Sequence, residues 1–92
     1  MGSEHILAID LGTGGPKAAL VDDAGHITAH EFEPTPIELL GDGGAEQDPD
    51  AWWAAITAAV RRLVGAGHVP VADIVAVSVT SQWSGTVAVD AE

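Results

Sequence analysis

The sequence of 92 residues contains 14 acidic and three basic side chains, which gives a formal net charge of −11. Such an acidic surface repels phosphate backbones and anionic lipid, and this argues against a nucleic-acid partner and against a membrane anchor. The chain has no cysteine, which excludes disulfide frameworks, thiolate zinc sites and cysteine nucleophiles and fits a cytoplasmic location. No apolar run approaches the roughly 20 residues that cross a bilayer.

Three β-strands joined by short turns are predicted in the first third of the chain. Residues 5–10 are apolar on both alternating faces, as in a buried central strand. A turn with three glycines in four residues follows, where positive φ and a close backbone approach are allowed. Residues 17–21 resume as a strand, and residues 26–33 form a third strand with no cleanly apolar face, as expected near a sheet edge. The short turns predict an antiparallel meander.

A long loop and then a helix are predicted in the middle of the chain. The loop over residues 34–47 contains two prolines and three glycines, and its length is typical of a functional loop. Asp48 is a suitable N-cap, and Pro49 suits the first helical position. The apolar stripe of this helix includes Trp52 and Trp53, which are predicted to be core residues rather than platforms for a ligand.

Two more strands are predicted after the helix. Residues 74–80 are rich in β-branched side chains and mostly apolar on both faces, which predicts a central strand, and residues 85–90 predict a further short strand. A connection through a helix predicts a right-handed crossover that places residues 74–80 parallel to the first strand. The predicted fold is therefore α/β, within one domain over residues 1–92: a three-stranded antiparallel meander, a helix, a parallel strand and a short extra strand.

The segment from Asp10 to Lys17 (DLGTGGPK) carries the strongest chemical signal. Because it joins two strands, it is neither a P-loop nor a dinucleotide fingerprint, both of which need a helix after the glycines. Successive N–H groups of a glycine turn form an anion-binding concavity, to which Thr13 adds a hydroxyl and Lys17 a charge. Asp10 would hold a hydrated Mg²⁺ beside it. An ordinary glycine hairpin is the alternative for the turn alone, but the acid that ends the buried strand favours a phosphate site.

Three motifs together resemble one known family. DLGTGGPK after a buried strand resembles the first phosphate motif of the actin-like, ribonuclease-H-like ATPase superfamily. Residues 44–53 (GAEQDPDAWW) resemble the loop and helix start of the FGGY carbohydrate kinases, xylulokinase-like members especially. Residues 77–85 (VSVTSQWSG) resemble the strand and turn that reach the sugar in that family. The motifs occur in the family's order and spacing, so the resemblance implies part of a ribonuclease-H-like (actin-like) domain.

The resemblance implies a role for each residue of the first motif. Asp10 matches the acid that the family associates with Mg²⁺ and with activity. Gly12, Thr13, Gly14 and Lys17 match the phosphate-loop positions. ATP and Mg²⁺ are therefore the implied cofactors.

The third motif implies the substrate contacts Gln82, Trp83 and Ser84. Trp83 and Ser84 replace the Met-His pair that is usual in xylulokinases, so another ketose or a polyol fits as well as d-xylulose. A tryptophan offers an apolar platform to a sugar face, and a serine offers one hydroxyl. For Gln82, a polar residue at the end of a buried strand, a structural role with satisfied hydrogen bonds is the alternative.

The implied activity is ATP-dependent phosphorylation of a small-molecule sugar. The family's catalytic base, adenosine site and second domain lie downstream in much longer enzymes, so the chain is predicted to be an N-terminal fragment that is inactive alone. One alternative is a stand-alone, non-catalytic nucleotide- or phosphate-binding module. A chaperone or filament ATPase of the same superfamily is disfavoured by residues 46–49 and 82–85. Because one helix covers only one sheet face, self-association as a homo-oligomer through exposed sheet edges is also expected.

Overall fold

A four-stranded mixed sheet with one helix on one face forms the centre of the computed structural model, which describes residues 4–92. The elements in chain order are β1 (His5–Gly12), β2 (Gly15–Asp22), β3 (Ile27–Phe32), β4 (Glu38–Leu39), β5 (Ala45–Glu46), α1 (Pro49–Gly65), a short 3₁₀ helix (Val71–Asp73) and β6 (Ile74–Ser81). The strand order in the main sheet is β3-β2-β1-β6. The predicted domain starts at residue 1, and residues 1–3 lie outside the described part.

The pairing of the strands confirms the predicted meander and the predicted parallel strand. β1 and β2 are antiparallel, as are β2 and β3, whereas β6 runs parallel to β1. β1 is an interior strand and β3 an edge strand of this sheet, as predicted. The predicted burial of β1 holds on one face only, because no described element covers the face opposite α1, and Ile6 is 41 % exposed.

The core lies between α1 and the covered face of the sheet. Alternation along β1 and β2 turns every second side chain towards the helix, which buries Leu7 and Leu20 among others. From the helix, Ala59 and Leu63 are fully covered, and Ala55 is nearly so. These three residues are spaced four apart, so they form one row along the helix, and the small alanines let its backbone approach the sheet closely.

The prediction that Trp53 is a core residue is wrong. Its side chain is 68 % exposed, whereas Trp52 is half-buried. Trp53 is two positions from Ala55, which corresponds to about 200° around an α-helix, so it lies away from the row that faces the sheet. The apolar residues of α1 form a wide arc around the helix, and this pattern alone does not identify Ala55 and Ala59 as the residues buried against the sheet.

The start of α1 agrees with the prediction. The side chain of Asp48 accepts a hydrogen bond of 2.9 Å from the backbone N–H of Asp50, and Pro49 occupies the first turn, where no intrahelical acceptor exists for an N–H. This cap fixes the direction in which the preceding loop enters the helix, and that loop carries residues of the candidate site.

The segment 34–47 is not structureless as predicted. β4 and β5 pair antiparallel within it, with Glu38 opposite Glu46. Gly43, with φ of 89°, lies in the turn between them, where a positive φ favours glycine. Strands of two residues are too short to leave a pattern in the sequence, so this hairpin was not predicted. It returns the chain to the start of α1.

Two predictions for the last third of the chain are wrong. β6 is an edge strand of the described sheet rather than a central one, and Val77 and Val79 are more than 60 % exposed. α1 lies mainly over β2 and β3 and leaves these valines uncovered. The short extra strand over residues 85–90 does not form. Ser84 has a positive φ of 60°, which turns the chain away from the direction of β6. The described residues after Ser84 pair with no other strand.

Arg62 fastens the last turns of α1 to the end of β3. Its Nη1 donates to Glu33 Oε1 at 2.6 Å, and its Nη2 donates to the carbonyl of Phe32 at 3.0 Å. Its Nε donates to Glu31 Oε2 at 3.4 Å. The hydrogen bond to Glu33, more than any other interaction, raises the pKa of the Arg62 guanidinium above its ordinary value. The guanidinium thus links α1 to the last two residues of β3 and to Glu33, which follows them.

Replacing Arg62 with alanine is expected to lower the Tm of the chain by several degrees, because three hydrogen bonds between helix and sheet are lost. Arg61→Ala is the matched control: it removes the same charge one position along the helix, where the described residues show no such contacts. Thermal unfolding followed by circular dichroism compares the two variants. Equal losses of Tm in both would contradict the assigned role of Arg62.

Candidate functional site

The turn between β1 and β2 is open and carries free backbone donors. Gly12 pairs with Gly15, which leaves Thr13 and Gly14 as a two-residue turn, shorter than the predicted one. Among the described residues, no acceptor contacts the backbone N–H of Thr13 or Gly14. A Cβ placed on Gly14 would meet nothing within 4 Å. Two exposed N–H groups in an unobstructed turn fit the predicted anion cradle.

Gly15 has a different function from the other glycines of this turn. It has φ of +137°, and a Cβ placed on it would collide with the carbonyl oxygen of Glu33 and lie 2.9 Å from Pro34 Cα. The backbone of Thr35 donates to Gly14 O at 3.1 Å, so the chain after β3 runs directly over the turn. Gly15 thus permits close packing behind the turn, and Gly14 keeps the front of the turn open.

Asp10 and Lys17 lie side by side on the sheet face opposite the helix. They are direct cross-strand partners of β1 and β2, and both are exposed. No ion pair joins them in the described part of the chain, so both charges are available to a ligand. On its other side, Asp10 is in register with Thr80 of β6.

A shallow depression of about 170 Å³ surrounds these two charges. Ala8 and Ala19 are part of its lining, and their small side chains leave room above the sheet. Ser78 and Thr80 add two hydroxyl groups at its rim. Sequence reasoning missed both hydroxyls, because only the parallel register of β6 against β1 places them beside Asp10.

The residues around Asp10 fit a hydrated Mg²⁺ rather than a fully ligated metal. No group of three or more His, Cys, Asp or Glu side chains forms a metal site within residues 4–92. Mg²⁺ commonly keeps several waters and takes only one or two carboxylates from a protein, the rest of its shell coming from substrate phosphates. The exposed carboxylate of Asp10 matches that requirement.

Three hydrogen bonds join Thr13, Gln47 and Gln82 in a closed ring beside the same turn. The Thr13 hydroxyl donates to Gln82 Oε1 at 3.0 Å, Gln82 Nε2 donates to Gln47 Oε1 at 3.0 Å, and Gln47 Nε2 donates to the carbonyl of Thr13 at 2.9 Å. The backbone N–H of Gln82 also donates to Leu11 O at 2.8 Å. The ring joins the glycine turn, the loop between β5 and α1, and the turn after β6. Gln47 was not among the predicted site residues.

An open cavity of about 490 Å³ adjoins the ring. Its lining includes Thr13, Glu46, Gln47, Trp52, Gln82 and Ser84. Trp83 is not part of this lining and presents 95 % of its surface to solvent. The structure therefore brings Gln82 and Ser84 together with Thr13, and it places Trp83 outside that group. The indole Nε1 of Trp52 is buried without a partner in the described residues.

Comparison with known proteins adds a family to this geometry. Residues 5–92 match the model of the N-terminal domain of the FGGY family of carbohydrate kinases. The chain is 33 % identical over 86 residues to the xylulose kinase of Escherichia coli and 31 % identical over 86 residues to the glycerol kinase of Acinetobacter baylyi. Each alignment covers 94 % of this chain and 17 % of the relative.

A solved structure shows the same fold. The crystal structure of a xyloylose kinase from Brucella ovis is similar with a TM-score of 0.79 and 29 % identity, over 86 % of this chain and 17 % of that one. The comparisons confirm the predicted family resemblance and the predicted fold class, a partial actin-like α/β domain. The chain spans about 17 % of the length of these relatives. In the described range, neither α1 nor the 3₁₀ helix has the length and apolarity to cross a membrane.

Proposed function

Because the chain belongs to the FGGY family of carbohydrate kinases, we propose that it supplies the first phosphate loop for ATP-dependent phosphorylation of a sugar. In this proposal it is the first part of the kinase's first domain. One observation carries the proposal: Asp10 and Lys17 are unpaired cross-strand neighbours beside a turn with two free N–H groups. These groups suit a nucleotide phosphate, because phosphate oxygens accept from N–H donors and pair with a cation, and the accompanying Mg²⁺ is held by a carboxylate.

Each of these groups has a definite task in phosphoryl transfer. The reaction depends mainly on positioning and on stabilising negative charge, since the transferred group carries charge on three oxygens. The N–H groups of Thr13 and Gly14 would bind phosphate oxygens, and Lys17 would neutralise their charge. Asp10 would hold Mg²⁺ through its waters, and the ion supplies further charge neutralisation when it is bound.

The proposed substrate is a ketose such as xylulose, or a polyol. Relatives that cover the chain equally well are named xylulose kinase and glycerol kinase, so the identities favour neither class. Ser84 lines the cavity beside the ring and would donate or accept one hydrogen bond with a sugar hydroxyl. The fully exposed indole of Trp83 would cover an apolar sugar face from outside this cavity.

We further propose that the 92 residues alone do not phosphorylate sugar. The chain spans 17 % of its relatives, and the family's catalytic base, which accepts the proton of the sugar hydroxyl, is expected in the part that this chain does not cover. A coupled ADP-release assay over xylulose, glycerol and other ketoses and polyols should therefore show no stimulation by sugar. Sugar-dependent turnover by the pure chain would contradict this.

A chimera tests the proposed function directly. In it, residues 5–92 replace the matching segment of the Escherichia coli xylulose kinase, a relative that is 33 % identical over the aligned region. We expect this kinase chimera to phosphorylate at least one ketose or polyol with Mg²⁺ and ATP. A chimera that melts cooperatively but shows no turnover with any of these sugars would overturn the proposal. Tight ATP binding by the 92-residue chain together with such an inactive chimera would favour the stand-alone binding module.

Self-association of the 92-residue chain is proposed because both outer strands of the sheet are open. Within residues 4–92, β3 and β6 each pair on one side only, and β6 carries exposed apolar side chains, including Val75, Val77 and Val79. Unpaired edges with apolar neighbours favour pairing between copies. The net charge of −11 opposes it, so light scattering should show association that increases with salt. A monomer at both low and high salt would contradict this expectation.

A further inference from the structure

The direction of every hydrogen bond in the Thr13–Gln47–Gln82 ring follows from one atom. The carbonyl oxygen of Thr13 can only accept, so Gln47 must turn its Nε2 towards it at 2.9 Å. Gln47 Oε1 is then left to accept from Gln82 Nε2, and Gln82 Oε1 accepts from the Thr13 hydroxyl. No other orientation of the two amides satisfies all three contacts. The ring is therefore a single directional unit.

This direction changes the role that the Thr13 side chain is able to take. Its only hydroxyl proton is committed to Gln82 Oε1, and the oxygen retains only acceptor capacity. A nucleotide phosphate oxygen is also an acceptor at neutral pH, so the Thr13 hydroxyl does not bind it while the ring is closed. Contact with phosphate is left to the N–H groups of the turn and to Lys17.

Gln47 occupies the position in the ring from which two turns are held together. It lies on the loop before α1 and contacts Thr13 in the glycine turn and Gln82 in the turn after β6. Its contacts are with the carbonyl of Thr13 and the side chain of Gln82, and not with Asp10, Lys17 or Ser84. Its side-chain hydrogen bonds thus link the phosphate side to the sugar side. Gln47 also lines the cavity that contains Ser84, so a loss of kcat without a rise in the KM for sugar distinguishes positioning from sugar binding.

We propose that Gln47 is a positioning residue, which through this ring holds the phosphate loop and the sugar-contacting turn in register for transfer. The inference rests on the proposed function. A misplacement of about 1 Å between reacting groups costs on the order of a hundredfold in rate. Opening the ring therefore lowers kcat in the kinase chimera and leaves the KM for ATP nearly unchanged, because the backbone N–H groups that bind phosphate remain.

The first experiment compares Gln47→Ala with Glu38→Ala in the kinase chimera. Glu38 is an exposed residue of the neighbouring β4–β5 hairpin and takes no part in the ring. Gln47→Ala should lower kcat on the order of ten- to a hundredfold with the KM for ATP within about threefold. Glu38→Ala should match the unsubstituted chimera. Thr13→Val, which removes the hydroxyl donor of the ring, should lower kcat by a similar factor.

A double substitution tests whether the ring acts as a unit. Gln47→Ala and Gln82→Ala each open it, so the double variant should lose about as much kcat as either single variant, and not the product of the two losses. A purely local structural role predicts multiplied losses. Gln47→Asn, a milder change that keeps the amide on a shorter side chain, serves where the alanine variant does not fold.

A measurement on the 92-residue chain separates this inference from the proposed function. In nuclear magnetic resonance spectra, the side-chain amide hydrogens of Gln47 should exchange slowly with solvent, and Gln82→Ala should accelerate that exchange. An active chimera whose kcat is unchanged by Gln47→Ala would overturn the inference alone. Fast exchange in the unsubstituted chain would overturn it as well. An inactive but folded chimera with the ring intact would overturn the proposed function, and the inference with it.

Discussion

Replacing Asp10 with asparagine is expected to lower kcat of the kinase chimera on the order of a hundredfold or more, while the KM for sugar changes only a few-fold. Asp10 is exposed on the open sheet face, directly across from Lys17 and in register with Thr80. Asparagine keeps the size of the side chain and removes its charge, so the loss measures electrostatics rather than packing. Charge stabilisation matters most when the phosphoryl group carries its greatest developing charge, in the transition state.

Ser84→Ala is the matched comparison for this substitution. Ser84 lines the cavity that is proposed to hold the sugar, so its removal should raise the KM for sugar or change which sugar is preferred, with a smaller effect on kcat. Steady-state kinetics at saturating Mg²⁺ and varied sugar distinguish the two patterns. Near-normal kcat in Asp10→Asn would refute the assignment. Asp10 would then be an exposed strand residue with no role in catalysis.

The parts of the fold that were predictable are those that local chemistry determines. The sequence HILAID is rich in apolar residues, and it forms the interior strand between β2 and β6. Asp48 and Pro49 marked the start of α1, since capping depends on neighbouring residues alone. The parallel pairing of β6 with β1 followed from the connection through a helix.

The parts that were not predictable depend on register or on what covers a surface. Thr80 is beside Asp10 only because of how β6 aligns with β1, and no feature of either strand alone sets that alignment. Gln47 joins the ring because the small hairpin of β4 and β5 returns the chain to the turn. The valines of β6 are exposed, because α1 packs mainly against β2 and β3. The apolar pattern of β6 does not show whether another element covers these side chains.

Gly15→Ala is expected to destabilise the chain more than any other single substitution in the turn. The added Cβ would collide with the carbonyl oxygen of Glu33 and crowd Pro34 Cα, and both are backbone atoms that cannot rotate away. The φ of +137° is also a conformation that alanine adopts only with strain. The backbone around Glu33 cannot yield easily, because hydrogen bonds from Glu33 N–H to Pro16 O and from Thr35 N–H to Gly14 O, each 3.1 Å, hold it.

The cost combines backbone strain of about 1–3 kcal/mol with the loss of two hydrogen bonds at about 1 kcal/mol each. A loss of this size is a large fraction of the roughly 5–15 kcal/mol that stabilises a small domain. Gly14→Ala is the control: its position is open and its φ is not positive, so the Tm should change little. Urea denaturation of the two variants would compare their unfolding free energies. Similar stabilities would mean that the chain after β3 does not lie against the turn, and the candidate phosphate loop would then lose the support behind it.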